Sequence, residues 1–411
     1  MVMNPLNLIW KKPTEPRDPS TREQRGTGST TRLLLVLACA SLVVLSTSCD
    51  APRKPGDSAT TTWRFAIEES VGSVQYEYAL GFKRRIEERT QGRVRVEIYP
   101  YGTLGTSTQI TEQLNMGVVQ FAMASPGSLG KFIPELQVFL LHFILSGDDR
   151  VNQRVLSHPE LLAFFNELYQ RRGLTLLAFY CEGEMVWTTK SEVRTPADLR
   201  GVKFRVMTSP ILLSAYGAYG ASPTPLPYSE VYSGLQLNMI DAQVNPIFAI
   251  ERQKFHEVTD WLIFPGHSHF VTSAAANRPF LEKLSAEDRG LVDEVIRELD
   301  EEIFEVQRRF QYERLQVILE QSRDKGHPLH LCGDMRGFVE SLGDEDRIAL
   351  IERNEFLHLD PVWSESERNE FVELSRDVES VYLSIGGEQA KDALDLLSAS
   401  SGRNGNPPMK S

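Results

Sequence analysis

The feature that most constrains this chain is a regular alternation of strand-like and helix-like segments that begins at Trp63. Residues 63–67 read WRFAI, residues 74–90 carry apolar side chains at helical spacing, and residues 93–99, RVRVEIY, alternate between apolar and polar. A second helical segment, 108–116, precedes the apolar strand QFAMA at 120–124. Strands that alternate with helices form mainly parallel sheets covered on both faces, so the pattern predicts an α/β fold.

The alternation resumes further along the chain and predicts a second lobe. A helix at 151–172 and an apolar strand at 174–181 precede a change of sheet, and we expect crossing strands near Glu184 and Phe270. The elements expected in the second lobe are strands at 184–189 and 202–207, a helix at 211–219, a proline-rich turn at 222–228 and a helix at 229–237.

A long amphipathic helix at 285–322 is predicted to cross both lobes, because apolar and charged residues alternate along it at helical spacing. The expected architecture is a two-lobed periplasmic-binding-protein fold with mixed, mainly parallel sheets. Its predicted parts are a signal peptide (1–48), a flexible tether (49–61), lobe 1 (62–183 and 271–284), lobe 2 (184–270), a bridging helix (285–325), a C-terminal helical region packed on the lobes (326–397) and a disordered tail (398–411).

The N-terminus has the pattern of an export signal. An apolar run, LLLVLACASLVVL at 33–45, follows three arginines, and the uncharged stretch from Leu33 to Cys49 is shorter than the roughly 20 residues of a membrane span. The ending LSTSC resembles a bacterial lipoprotein signal, in which Cys49 would be lipidated and become the first mature residue. Asp50 after it favours retention on the outer face of the cytoplasmic membrane. The alternative is a plain cleaved signal that leaves a soluble periplasmic protein.

Charge and cysteine spacing narrow the function classes. The formal net charge of −12 and the absence of a basic patch in the sequence argue against nucleic-acid binding. The four cysteines, at 39, 49, 181 and 332, show no metal-ligand or CxxC spacing, which argues against a disulfide framework and a structural zinc site. No cofactor is expected.

Three stretches together resemble the DctP-type solute-binding proteins of tripartite ATP-independent periplasmic (TRAP) transporters. They are VEIYPYGTLGTSTQITEQLNMGVVQFAMASPG at 96–127, TPADLRGVKFRV at 195–206 and GASPTPLPYSEVYSGLQLNMIDAQVNP at 220–246. The resemblance implies a non-enzymatic protein whose lobes close over a small organic acid. It also implies delivery of that acid to the small and large membrane subunits of a transporter driven by an ion gradient.

Arg205 is the leading candidate for the ligand's carboxylate. Its planar guanidinium matches a carboxylate with two parallel hydrogen bonds, and the GVKFRV context corresponds to the family's carboxylate-clasping arginine. An internal ion pair is the alternative. Asn245, in DAQVNP, corresponds to a family asparagine that donates to the same carboxylate, although a helix N-cap before Pro246 is also compatible with it.

Four further residues are expected at the cleft: Tyr228, Trp187, Ser125 and Thr106. Residues 182–189 lack the second arginine that many relatives carry, so a monocarboxylate is favoured over a dicarboxylate. Tyr228 and Trp187 would then cover an apolar or hydroxylated body, and the acids at 68, 69, 182 and 184 are candidates to accept from hydroxyl or ammonium groups.

Two other classes of protein stay open at this point. A scaffolding envelope lipoprotein would have no small-molecule cleft. A metal-dependent enzyme would need ligands such as His267 with His269, or His327 with His330. No Asp or Glu lies at a sequence spacing from either pair that is typical of a metal site. No metal site is therefore predicted.

Overall fold

The structure is a computed structural model that describes residues 60–326, 329–333 and 363–401. The predicted signal peptide, Cys49 and nearly all of the predicted tether lie outside the described residues, as does the tail from 402 onward. Among the described residues, no helix combines the length and apolar character that a membrane crossing needs.

The first part of the chain alternates strands and helices as the periodicity predicts. Its elements are β1 (Thr61–Ala66), α1 (Val74–Arg89), β2 (Val94–Tyr99), α2 (Ser107–Asn115), β3 (Phe121–Ala124), α3 (Pro126–Leu129), a 3-10 helix (Pro134–Leu140), α4 (Asp149–Leu156), α5 (Pro159–Arg171) and β4 (Leu174–Glu184).

The middle of the chain builds the second lobe. Its elements are β5 (Val186–Thr189), a 3-10 helix (Pro196–Leu199), β6 (Lys203–Val206), α6 (Pro210–Ala218), β7 (Ser222–Pro225), a 3-10 helix (Tyr228–Glu230), α7 (Val231–Gln236), β8 (Ala242–Asn245), α8 (Ile247–Arg252), a 3-10 helix (Phe255–Glu257) and β9 (Trp261–Phe264). The chain then continues through β10 (His269–Asn277), α9 (Arg278–Lys283), α10 (Ala286–Asp324), β11 (His330–Gly333), α11 (Glu365–Ile385) and α12 (Ala390–Ser401).

Two sheets form the cores of two lobes. The first has the order β2-β1-β3-β10-β4 and the second the order β11-β9-β5-β8-β6-β7. Strands β1, β2 and β3 are parallel, β10 is antiparallel to β3 and β4, and β5 is antiparallel to β8 and β9. Only Met185 separates β4 in the first sheet from β5 in the second, and the chain returns between Phe264 and His269. The predicted two-lobed α/β fold is confirmed.

Three predicted elements differ in detail. The helix expected at 151–172 is two helices, α4 and α5, because Pro159 cannot continue the preceding helix and instead begins the next one. The turn expected at 222–228 contains β7, an edge strand in which two prolines are tolerated because one side of the strand has no partner. The final helix reaches Ser401, so residues 398–401 are helical rather than part of a disordered tail, and Ser398 and Ser400 are buried.

Helix α10 and the C-terminal helices hold the lobes together. Helix α10 is 39 residues long and packs on α1 and β4 of the first lobe and on α8 of the second. Helix α11 packs on α6, while α12 packs on α4 and on the 3-10 helix at 134–140. The C-terminal helices therefore contact both lobes.

Candidate functional site

A cavity of about 200 Å³ lies where carboxyl ends of strands from both lobes meet. In open α/β sheets, ligands bind in the crevice outside the carboxyl ends of the strands. The first lobe contributes residues that follow β1 and β3, and the second lobe contributes residues at or beyond the ends of β6 and β8. The polar residues of its lining are Glu68, Glu69, Tyr101, Thr106, Ser107, Thr108, Ser125, Ser128, Arg205, Thr208, Tyr228 and Asn245.

The two lobes touch across this cavity. The Tyr228 hydroxyl of the second lobe donates to Oε2 of Glu69 in the first, at 3.2 Å. Nη2 of Arg252 donates to the carbonyl oxygen of Val71 at 2.7 Å, and the rings of Tyr101 and Tyr228 meet edge to face with centroids 5.6 Å apart. The described arrangement is therefore one in which the lobes are closed on each other.

Arg205 lies in β6 and is only 3% exposed. Its Nε donates to the carbonyl oxygen of Leu226 at 2.9 Å, which orients the guanidinium, and burial lowers the pKa of Arg205 to about 10. It forms no ion pair with any carboxylate of the described residues. The internal ion pair considered from the sequence is thus not seen there, and Arg205 lines the cavity.

Asn245 is the last residue of β8, and it lines the same cavity. Its Nδ2 donates to Oε1 of Gln243. The N-cap of α8 is Pro246, so Asn245 does not have the capping role that its sequence context also allowed.

Two buried acids face the cavity from the first lobe, just beyond the end of β1. Glu68 accepts from the backbone N–H of Ser125 at 2.8 Å and from the hydroxyl of Ser128. Burial raises the pKa of Glu68 to about 7 and that of Glu69 to about 8. These carboxyl groups therefore change protonation near neutral pH, and a cation beside them would favour their ionised forms.

A third acid, Glu182, lies behind them in β4. Its side chain is fully buried, Oε1 accepts from Nε2 of Gln75 at 2.9 Å, and burial raises its pKa. Oε1 of Gln75 in turn accepts from the backbone N–H of Glu68 at 2.8 Å, so the Gln75 side chain bridges Glu68 and Glu182. Glu68 raises the pKa of Glu69, and both raise the pKa of Glu182, so a positive charge placed beside these acids would lower the cost of ionising them.

Five of the six residues expected at the cleft line one cavity: Thr106, Ser125, Arg205, Tyr228 and Asn245. Trp187 does not, which corrects the sequence prediction. Its side chain is fully buried in the core, where Nε1 donates to the Tyr216 hydroxyl at 3.0 Å. Phe371 of α11 packs against it, with ring centroids 5.7 Å apart, and this contact comes from a helix distant in sequence.

Tyr101 and Phe270 also line the cavity, although no motif in the sequence marks them as cleft residues. The sequence also contains a short repeat, QLNM followed after three residues by Gln, at 113–120 and again at 236–243. In each lobe this segment leads from a helix into a strand that ends in a polar residue and a proline, Ser125-Pro126 and Asn245-Pro246. The repeat marks the same passage from a helix into a strand in each lobe, although Ser125 lies five residues beyond its final glutamine and Asn245 only two.

Of the two histidine pairs considered as metal ligands, His267 and His269 contact different partners. His267 lies near the indole and hydroxyl of Trp187 and Tyr216, whereas His269 contacts Asp149 at 3.2 Å. His327 lies outside the described residues.

Known proteins match this chain over most of its described length. The model of the DctP family, bacterial extracellular solute-binding protein family 7, matches residues 65–325. The ectoine/5-hydroxyectoine-binding periplasmic protein UehA of Ruegeria pomeroyi is 46% identical over 56% of this chain and 68% of its own length. The ectoine-binding periplasmic protein TeaA of Halomonas elongata is 34% identical over 82% of this chain and 89% of its own.

Solved structures agree with the family match. An open, ligand-free TRAP periplasmic solute-binding protein from Marinobacter aquaeolei superposes with a TM-score of 0.69 at 35% identity, covering 82% of this chain and all of that one. Sequence, fold and the placement of the cleft thus agree, and the chain belongs to the DctP family of extracellular solute-binding proteins that serve TRAP transporters.

Proposed function

We propose that this protein captures a small zwitterion that carries one carboxylate and one compact, delocalised cation. A single observation carries the proposal: a buried guanidinium of the second lobe and two buried carboxyl groups of the first line the same cavity. Arg205 and Asn245 would bind the carboxylate, and Glu68 and Glu69 would accept hydrogen bonds from the cation.

The energetics of the acids support a cationic group. Carboxyl groups with raised pKa values are costly to ionise in the empty site, and a cation placed beside them offsets that cost. A ligand bearing only a carboxylate would instead place a second negative charge near these acids. The zwitterion hypothesis therefore refines the monocarboxylate expected from the sequence.

The aromatic lining suits the same ligand. Tyr101, Tyr228 and Phe270 line the cavity, and aromatic faces attract delocalised cations. Ectoine, named for the relatives from Ruegeria pomeroyi and Halomonas elongata, is a small ring with one carboxylate and an amidinium group. We infer that ectoine or a close analogue is the solute.

The test is calorimetry on protein unfolded and refolded to remove carried ligand. Ectoine and 5-hydroxyectoine should bind, whereas succinate and a cyclic monocarboxylate without a cation should bind at least about 100-fold more weakly. Tight succinate binding with no response to ectoine would contradict the proposal. Recovery of unchanged ectoine after incubation would exclude turnover.

We also propose that Cys49 anchors the protein to the outer face of the cytoplasmic membrane. The support lies in the sequence, where the apolar run at 33–45 leads into LSTSC and Asp50 follows. Several acyl chains together, at about 0.8 kcal/mol per buried methylene, give a firm anchor. Cys49→Ala should move the protein out of the membrane fraction or leave it unprocessed, and an unchanged fractionation and mature mass would contradict the anchor.

A further inference from the structure

Beside the ligand cavity, at the strands that link the lobes, side chains of three different elements converge. Asp149 begins α4, Cys181 lies in β4 and His269 begins β10. One carboxylate oxygen, the sulfur and one imidazole nitrogen all lie within 4.8 Å of one another. Nε2 of His269 is 3.2 Å from Oδ1 of Asp149, and Cys181 and His269 are each only 6% exposed.

Hydrogen bonds to Oδ2 hold the Asp149 carboxylate in place. Nε2 of Gln307 and Nε2 of Gln311, both on α10, each lie 3.3 Å from Oδ2 of Asp149 and donate to it. Oδ1 is thereby directed towards His269. Metal sites commonly have this construction, in which groups outside the coordination sphere orient a ligand through the atom that the metal does not use.

We propose that Asp149, Cys181 and His269 form a site for a divalent transition metal ion of the zinc type. Oxygen, sulfur and nitrogen ligands in one cluster suit a borderline ion, and they exclude calcium and magnesium, which prefer oxygen alone. Three protein ligands leave a fourth position of the tetrahedron for water.

The charges of the site balance when the ion is bound. The Cys181 thiol releases its proton to solvent, and its sulfur forms a bond to the ion as a thiolate. The thiolate and the Asp149 carboxylate together carry two negative charges, which match the two positive charges of the ion. His269 binds as a neutral imidazole and, where its contact with Asp149 has kept it protonated, releases that proton to solvent as well, so the occupied site is neutral overall.

Space for the water lies next to His269. A small cavity of about 30 Å³ is lined by His269, Phe270 and Val271 on one side. A water molecule needs at least about 10–15 Å³ of such space. Ser125 and Asn245 line both this cavity and the ligand cavity, so the ligand cleft offers a route for the ion.

The position gives the ion a mechanical role. Strand β10 pairs with β4, with His269 opposite Glu184 and Val271 opposite Cys181. The pairing shifts by one residue between these two points. A bound ion would cross-link the two strands through which the chain passes between lobes, and it would tie both to α4. The site therefore couples metal occupancy to the stiffness of the hinge.

The test uses cobalt and zinc on protein stripped with a chelator. Cobalt should give a thiolate-to-metal charge-transfer band at one ion per chain, and zinc should raise the melting temperature. Cys181→Ala should abolish the band and weaken binding by at least about 100-fold. Cys332→Ala, at the other buried cysteine of the described residues, is the matched control and should leave both unchanged.

Asp149→Asn serves as a second variant that keeps the thiol and the side-chain volume, and it should also weaken binding. Cys39, within the predicted signal peptide, and Cys49 are not changed in any variant, so the differences report on Cys181. A wild-type protein without the band and without a zinc-induced shift would overturn the proposal, as would a Cys181→Ala protein that keeps them. None of these readouts depends on the identity of the solute.

Discussion

At the residue scale, the site is defined by charges that burial has made costly. Arg205 is buried with a lowered pKa, and Glu69 is buried with a raised one. The charged form of each side chain would be more stable in water, so charging them inside the cavity costs free energy. A ligand with complementary charges offsets that cost. The two charges belong to different lobes, so one ligand that satisfies both also joins the lobes.

Replacing Arg205 tests the carboxylate end. Arg205→Ala should weaken ligand binding by about 2 to 5 kcal/mol, roughly 30-fold to several thousand-fold, because the ligand's carboxylate loses its buried partner. Arg205→Lys should recover little, since an ammonium lacks the planar fork. Arg200→Ala, at an exposed arginine of the same lobe, is the control. If calorimetry shows near-normal affinity for Arg205→Ala with an intact fold, Arg205 does not bind the ligand's carboxylate.

The protonation of Glu69 should make ligand affinity depend on pH. A cation requires the ionised carboxylate, and burial in the closed arrangement raises the pKa of Glu69 to about 8, so affinity should fall as the pH is lowered. Glu69→Gln should bind weakly and with a flatter pH profile. Calorimetry between pH 6 and 9 measures both, and a wild-type affinity that rises on acidification would be inconsistent with a cation at Glu69.

At the scale of elements, the C-terminal helix α11 completes the core of the second lobe. Phe371 of this helix stacks on Trp363 with ring centroids 4.7 Å apart and meets Tyr219 of the second lobe at 5.1 Å. Glu367 of the same helix pairs with Arg194, with Oε1 and Nε 2.9 Å apart. Trp187 lies beneath these rings, which is why it is a core residue rather than a ligand contact.

Phe371→Ala should destabilise the protein by about 3 to 5 kcal/mol, because it leaves a cavity among aromatic rings. Leu383→Ala, on the same helix but with 45% of the side chain exposed, should change stability by less than about 0.5 kcal/mol. Denaturant melts compare the two. Equal and small effects would mean that α11 is not part of the cooperative core.

At the scale of the whole molecule, closure depends on a few contacts between lobes and on two linking strands. The contacts between Tyr228 and Glu69 and between Arg252 and Val71 cross the cleft, while β4 and β10 carry the chain from one sheet to the other. Hinge closure of this kind buries the ligand and strengthens its electrostatic contacts.

Ligand should therefore make the particle more compact. Small-angle scattering of stripped protein should show a smaller radius of gyration at saturating ectoine. Arg205→Ala at the same ectoine concentration should stay open, because it lacks the contact that joins ligand to the second lobe. An unchanged radius for wild-type protein that binds ectoine by calorimetry would contradict closure.

The sequence by itself determined the α/β class, the two lobes, the family and the residues at strand ends. The periodicity of apolar residues indicates which face of a helix or strand is buried. The motifs that contain Arg205 and Asn245 are short stretches of sequence. Neither signal requires knowledge of contacts between distant residues. The repeat at 113–120 and 236–243 was equally readable, and it marks the same passage from a helix into a strand in each lobe.

Only the tertiary structure decided the rest. Trp187 lies in the core because α11, distant in sequence, covers it, and no local pattern carries that contact. The raised pKa values of Glu68 and Glu69 come from burial between lobes, and Asp149, Cys181 and His269 meet only because β4, β10 and α4 converge. Burial and convergence arise from packing between distant segments, so the observations behind the proposed cationic ligand group and the proposed metal site come from the fold and not from the sequence.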